Sequence, residues 1–164
     1  MKVFGIVGLK NSGKTYLVKK IISKLVSLNL RIASIKHAHH DFEIDQPNTD
    51  SYMHRQAGSE QVIISSSKRW AKIIELKNAK EKHLTELINE LDKHDIVIVE
   101  GYKNENHIKI EIIKNPSNSS SYLFKNIKNV IALISDIKID SFNNKQFNKD
   151  QVTEIVKYIL NYKK

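Results

Sequence analysis

No cysteine occurs among the 164 residues, so a disulfide framework and thiolate-held zinc or iron–sulfur chemistry are excluded, and any metal must sit on oxygen or imidazole. Aromatic residues make up only 7%. No single-strand-binding or helix-turn-helix pattern accompanies the lysines, so nucleic acid is not an expected partner. No apolar run approaches the ~18 residues of a membrane span. The opening MKVFGIVGLKNSGK is interrupted by polar residues too early to read as a signal peptide, and the expectation is a soluble cytoplasmic protein with no membrane partner. Arginine is scarce, limited to Arg31, Arg55 and Arg69. Asp and Glu are absent from residues 1–40, which carry Lys2, Lys10, Lys14, Lys19, Lys20, Lys24, Arg31 and Lys36. Within a net charge of +9, that end favours anions.

The length suits one domain spanning residues 1–164, large enough to bury a core without staples. Apolar runs of strand length alternate with segments of helical period, the pattern of an α/β protein with a largely parallel sheet. VFGIVGL reads as a buried strand. From Thr15 to about Leu28, Leu17, Val18, Ile21, Ile22, Leu25 and Leu28 mark an amphipathic helix. RIASIKH is a second strand. Thr49 or Asp50 caps a short helix with Tyr52, Met53 and Ala57 on its inner side and Gly58 at its end. EQVIISSS and WAKIIEL form a hairpin, LTELINELD a helix, and DIVIVEG a central strand. HIKIEIIK alternates more and predicts a strand with one exposed face. The polar segment 115–124 predicts a mobile loop, NVIALISD a last strand, SFNNKQFNK a surface loop and DQVTEIVKYILNY a terminal helix.

GLKNSGKT, residues 8–15, fits G-x-x-x-x-G-K-[ST]. Gly8 and Gly13 let the chain wrap with amides pointing inward across Lys10, Asn11 and Ser12. Lys14 suits the β- and γ-phosphates, and the Thr15 hydroxyl suits magnesium. Average residue usage yields such a match on the order of once in several hundred chains of this length. Its position between a hydrophobic strand and an amphipathic helix, with Tyr16 next on that helix, makes coincidence rarer still. The fold predicted is therefore a three-layer P-loop NTPase fold, with a largely parallel central sheet and an added β-hairpin or antiparallel edge strands. Such a loop needs an acid at the end of a neighbouring strand. Glu100, after IVIV, is the candidate for organising magnesium and the attacking water; its alternative is a strand-end carboxylate paired with Lys103 or Lys109.

IKHAHHDFEIDQPNTD, residues 35–50, leaves the carboxyl end of the second strand, where open α/β sheets collect ligands. Three readings stay open. His37 and His39 with Asp41 form a transition-metal site; Lys36, His37 and His39 meet a phosphate or a partner; or the residues, His40 included, are plain surface. Asp41 is also a candidate for orienting water or magnesium, as is Asp50, whereas Glu43 and Asp45 read as a solvated face. Arg55 either clamps a phosphate or makes a surface pair.

VFGIVGLKNSGKT, SIKHAHHDFEIDQPNTDSYMHRQAG, SSSKRWA and DIVIVEGYKNENHIKIEI together resemble the family of the molybdopterin-guanine dinucleotide biosynthesis protein MobB. KHAHHD followed by D-S-Y-x-x-R-x-A-G carries more of that resemblance than the P-loop, which unrelated NTPases share. The resemblance implies a GTP-binding accessory protein of molybdenum cofactor maturation, with weak GTPase activity and a homodimeric assembly. Its implied partners are the guanylyltransferase MobA and molybdopterin-bearing proteins. It also implies that Gly8–Thr15 hold phosphates, that Thr15 and Glu100 serve Mg2+, and that KHAHHD lines the functional crevice. No N-K-x-D guanine reader is present; Ser135 and Asp136, after VIALI, occupy a place suited to base recognition. The rivals are a small-molecule kinase, which needs a lid bearing several arginines, a nucleotide-dependent scaffold without turnover, and a basic nucleic-acid adapter. Nucleotide-dependent ordering of residues 37–50 would let the protein act as a switch.

Overall fold

The computed structural model describes residues 1–38, 42–77, 80–114 and 119–163. Among them run β1 (Lys2–Val7), α1 (Lys14–Val26), β2 (Ile32–Lys36), α2 (Asp50–Gln56), β3 (Gln61–Ser65), β4 (Trp70–Ile74), α3 (Leu84–Asn89), β5 (Ile96–Glu100), β6 (Ile108–Ile113), β7 (Val130–Ser135), β8 (Lys145–Phe147) and α4 (Val152–Asn161). The chain divides into two compact units, Met1–His37 with Leu84–Lys164, and Ala38–His83.

The first unit contains a six-stranded sheet in the order β2-β5-β1-β6-β7-β8, and all its pairings are parallel. Parallel strands covered on both faces need apolar side chains both ways, which explains the unbroken IVIV of β5. Phe4, Ile6, Ile98, Ile110, Ile112 and Ile134 face Leu17, Ile21 and Leu25 of α1 and Ile155 and Ile159 of α4. On the other face Ala33, Ile35, Val97 and Val99 pack with Leu84 of α3 and with Tyr102. Further along that face Ile113 and Leu133 meet Tyr122, Ile139 and Phe142. These are the three layers expected, and each fully buried Ile or Leu contributes about 1.5–3 kcal/mol. α1 starts at Lys14 and ends at Val26, close to the expected Thr15–Leu28.

Three expectations are corrected in this unit. β6 is buried on both faces, Lys109 and Glu111 included, with relative exposures of 0% and 1%. Its alternation reflects a polar row held inside the protein. The Lys109 ammonium donates to the carbonyls of Glu105, His107 and Lys128, and the Glu111 carboxylate accepts the N–H groups of Leu123 and Phe124, each at 2.8 Å. SFNNKQFNK is not all loop: Lys145–Phe147 pairs with β7 as the edge strand β8, with Phe147 buried. In the polar segment expected to be a mobile loop, Ser119–Ser121 and Leu123–Lys125 form short 3-10 turns and Tyr122 between them is buried; residues 115–118 lie outside the described residues.

In the second unit β3 and β4 pair antiparallel, Gln61 opposite Ile74 and Ser65 opposite Trp70, as the hairpin expectation requires. Thr49 precedes α2 in an extended conformation, and Gly58 follows it at φ +104°. The N–H of Gly58 donates to Arg55 and that of Ser59 to His54, which closes the helix end as expected. Met53 and Ala57, expected inside, are exposed. The centre of the unit is ionic: Arg55 meets Glu43 at 2.6 Å, Asp45 at 3.1 Å and Glu75 at 2.9 Å. Arg55 is thus neither a phosphate clamp nor a surface pair, and Asp45, at 3% side-chain exposure, is not solvated. Buried charges persist where partners neutralise them, and these partners lie both before and after Arg55 in the chain.

Candidate functional site

β1 delivers the chain to Gly8 at the carboxyl edge of the sheet. A Cβ at Gly8 would lie 2.6 Å from the carbonyl oxygen of Ile112, so a side chain there would push the loop off β6. The loop turns through Asn11 at φ +60° and Gly13 at φ +93°, and the Ser12 N–H closes it by donating to Leu9 at 3.2 Å. Gly13 then caps α1, whose first turn leaves N–H groups without intrahelical acceptors at its positive end. The Lys14 ammonium folds back to donate to the carbonyls of Gly8 at 3.0 Å and Leu9 at 2.6 Å. Burial pulls its pKa below the ordinary lysine value; the Glu100 carboxylate opposes that shift and the Lys36 charge adds to it. The loop is therefore a concave nest of amides with one ammonium, which suits a polyphosphate.

Strand register puts the acid in place. Glu100 on β5 stands opposite Ile6 of β1 on one side and Lys36 of β2 on the other. The Thr15 hydroxyl donates to the Glu100 carboxylate at 2.9 Å, which leaves the hydroxyl's own lone pairs free. A hydroxyl and a carboxylate oxygen are hard donors, and they fit magnesium better than a softer metal. The lysine beside Glu100 is Lys36, at 3.8 Å, not Lys103 or Lys109. The main chain reinforces the arrangement: the His37 N–H donates to the Glu100 carbonyl at 2.9 Å and the Gly101 N–H to Ile6 at 3.2 Å. Gly101 takes φ +94°, and a Cβ there would meet that of His37 at 2.8 Å. Tyr102 follows at φ +48°, a left-handed conformation that costs a side-chain-bearing residue roughly 1–2 kcal/mol. Its ring stacks on the His37 imidazole, centroids 4.4 Å apart and planes within 18°.

On the far side of β1 a cleft of about 360 Å³ runs from Asn11, Ser12 and Gly13 past Ile112 and Lys114 to Ser135, Asp136 and Lys149. The Ser12 hydroxyl is buried there without a hydrogen-bond partner. Asp136 accepts from Lys149 at 3.1 Å, and the Ser135 hydroxyl accepts the Ile137 N–H at 3.4 Å. The fold therefore gathers most of the expected residues along one edge: Gly8, Asn11, Ser12, Gly13, Lys14, Thr15, Lys36, His37, Glu100, Ser135 and Asp136. Lys10 belongs to the same loop and is exposed. Tyr16 projects outward at 66% exposure, with the Lys20 ammonium 4.5 Å from its ring centre.

His39, His40 and Asp41 lie outside the described residues, and with them the metal reading of the histidine segment. Among the described residues no cluster of three His, Cys, Asp or Glu side chains could hold a metal ion, and no helix is long and apolar enough to cross a membrane. Sequence reasoning missed Tyr102 and Lys149. The first had a signal in its place directly after the strand-ending Glu100-Gly101 pair; the second, inside a polar stretch, had none.

Comparison with known proteins agrees with this architecture. Relatives called molybdopterin-guanine dinucleotide biosynthesis adapter protein include one from Haemophilus influenzae, 41% identical over 73 residues, 44% of this chain and 41% of that protein. Another, from Escherichia coli, is 44% identical over 73 residues, 44% of this chain and 42% of that protein. The matched stretch thus spans well under half the length of these curated relatives. Among solved structures, Bacillus subtilis MobB superposes with a TM-score of 0.79 at 22% identity, over 98% of this chain and 96% of that one. A molybdopterin-guanine biosynthesis protein B superposes with a TM-score of 0.73 at 26% identity, over 96% of this chain and 97% of that one. Residues 3–136 match the model of the family described as MobB, molybdopterin guanine dinucleotide synthesis protein B, and the chain belongs to that family.

Proposed function

We propose that this protein is a cytoplasmic GTP-binding adapter of molybdopterin guanine dinucleotide synthesis, working as one nucleotide-binding domain in a homodimer. In this reading it acts beside a MobA-type guanylyltransferase and molybdopterin-bearing proteins, and hydrolyses GTP slowly. The observation that carries the reading is the 2.9 Å contact between Thr15 and Glu100 beside Lys14, because a strand-end acid meeting the loop hydroxyl is what a metal-assisted polyphosphate site requires. The loop amides and Lys14 bind the phosphates, and Thr15 with Glu100 would hold Mg2+. When bound, that ion neutralises charge shared by the last two phosphates. Glu100 also serves as acceptor for the proton of an attacking water. At the other end, the Asp136 carboxylate offers two acceptor oxygens, which complement the adjacent N–H donors of guanine and oppose the ring-nitrogen lone pair of adenine.

A kinase reading is weakened by the arginines. Arg55 is committed to three carboxylates, and Arg31 precedes β2, at the end of that strand away from Lys36 and Glu100. Titration of GTP and ATP with and without Mg2+ tests the proposal. GTP should bind more tightly than ATP, and Lys14→Ala should weaken GTP by roughly 100-fold or more, as loss of a buried charged contact does. Unchanged GTP binding by that variant would remove the site assignment, and phosphate transfer to an added acceptor would favour the kinase.

A further inference from the structure

Strand order gives the bound polyphosphate a direction. Ser135, Asp136 and the cleft lie over β6 and β7 on one side of β1, while Thr15, Glu100 and Lys36 lie toward β5 and β2 on the other. A nucleoside triphosphate with its base in the cleft and its chain over the Gly8–Thr15 loop therefore ends on the Glu100 side. There the Lys36 side chain, 64% exposed, reaches to 3.8 Å from the carboxylate that accepts the Thr15 hydroxyl. The geometry points to Lys36 as the cation that meets the terminal phosphoryl group and stabilises the charge that builds on it during hydrolysis.

Elimination supports the assignment. The transferring phosphoryl spreads negative charge over its outer oxygens, and P-loop enzymes meet that charge with a cation beyond the loop lysine. Among the described residues of the first unit Arg31 is the one arginine, and it precedes β2, at the opposite end of that strand from Lys36. Lys114 and Lys149 line the cleft on the base side, and Lys149 is paired with Asp136. Lys14 is the loop lysine itself, already assigned to the phosphates over Gly8–Thr15. The Lys36 charge also reaches the loop, where it is one of the groups that depress the Lys14 pKa.

The support beneath Lys36 is built to hold its root still. The hydrogen bond from His37 N–H to the Glu100 carbonyl, the stack of His37 on Tyr102, and the close approach that only Gly101 permits tie the end of β2 to the end of β5. The left-handed conformation of Tyr102 is strain retained at that junction. In the reaction a water oxygen bonds to the terminal phosphorus as the bond from that phosphorus to the bridging oxygen breaks. The bonding electrons leave with the nucleoside diphosphate, and the water proton passes by way of the Glu100 carboxylate to the released phosphate. Lys36 donates to an outer oxygen throughout and exchanges no proton.

This inference rests on the GTP reading above, and the experiment separates the two. Binding of GDP and of a non-hydrolysable GTP analogue is measured by calorimetry at fixed ionic strength for the parent, Lys36→Ala and Lys36→Arg, together with GTP turnover. Lys36→Ala should leave GDP affinity within about 2-fold, weaken the analogue roughly 10- to 100-fold, and slow turnover on the order of 100-fold. Lys36→Arg should restore most of both. Equal weakening of GDP and analogue would reduce Lys36 to general electrostatic attraction and overturn the assignment, as would analogue binding unchanged from the parent. Binding of neither nucleotide by the parent would instead overturn the GTP reading, and this assignment with it.

Discussion

His107 sits half-buried at the start of β6, and both its ring nitrogens are shielded without a hydrogen-bond partner. Burial first, and the neighbouring Lys109 charge second, lower its pKa from 6.5 to about 4. The folded state thus prefers the neutral ring, and between pH 6.5 and 4 the unfolded chain binds more protons than the folded one. Stability is then fully present above pH 6.5 and falls as pH drops toward 4. The loss should be about 2 kcal/mol once solvent screening is allowed for. Urea unfolding midpoints measured across that range should show the step in the parent and not in His107→Leu, where no proton is gained. Identical pH profiles would place the imidazole in contact with water.

At the scale of the element, β6 shows how a strand can carry charges through a core. Glu111 is pushed toward the protonated form by burial, while the N–H groups of Leu123 and Phe124 favour its ionised form. Replacing it with glutamine leaves one carbonyl to meet two donors and turns an amide N–H toward the other. Glu111→Gln should therefore cost about 2 kcal/mol, within the range for an unsatisfied buried group. It should also speed amide exchange at Leu123 and Phe124 relative to the amides of β7; exchange rates unchanged there would mean the 3-10 turns are held by Tyr122 packing alone. The same strand marks a limit of sequence reading. Alternation in HIKIEIIK signals an exposed face unless polar partners come from elsewhere, and the partners of Lys109 and Glu111 lie at residues 105, 107, 123, 124 and 128, all but His107 outside that stretch. Arg55 and Asp45 misled for the same reason. β8 escaped notice because three residues, KQF, are too short to show a period. What was legible rested on local physics: the β1-loop-α1 sequence, the unbroken β5 with its terminal Glu100, and the β3–β4 hairpin.

Across the whole molecule, stability should be uneven. Every strand of the six-stranded sheet and the three hydrophobic clusters belong to the first unit. Among the described residues of the second unit, Val62 is the one buried hydrophobic residue, while Ile63 and Trp70 are 65% and 69% exposed. A two-stranded hairpin with so little apolar burial is marginal. Hydrogen exchange under native conditions should therefore find β3 and β4 amides exchanging at least ~100-fold faster than those of β1 and β5. Equal protection would mean that both units open together. Membership of the first unit also explains why the site was more legible than its surroundings. The Gly8–Thr15 loop is a contiguous run of eight residues, whereas the Lys36, Glu100 and Asp136 corners come to its edge only through the strand order.

Because β1 is flanked by strands that follow it by some ninety to a hundred residues, its walls arrive late in synthesis. A nascent chain that has emerged only through α1 already displays the whole Gly8–Thr15 motif, yet has neither Glu100 beside Thr15 nor the Ile112 carbonyl behind Gly8. In the proposed reading, competence to capture nucleotide is thus tied to completion of β5 and β6, and a chain still short of them could not trap it.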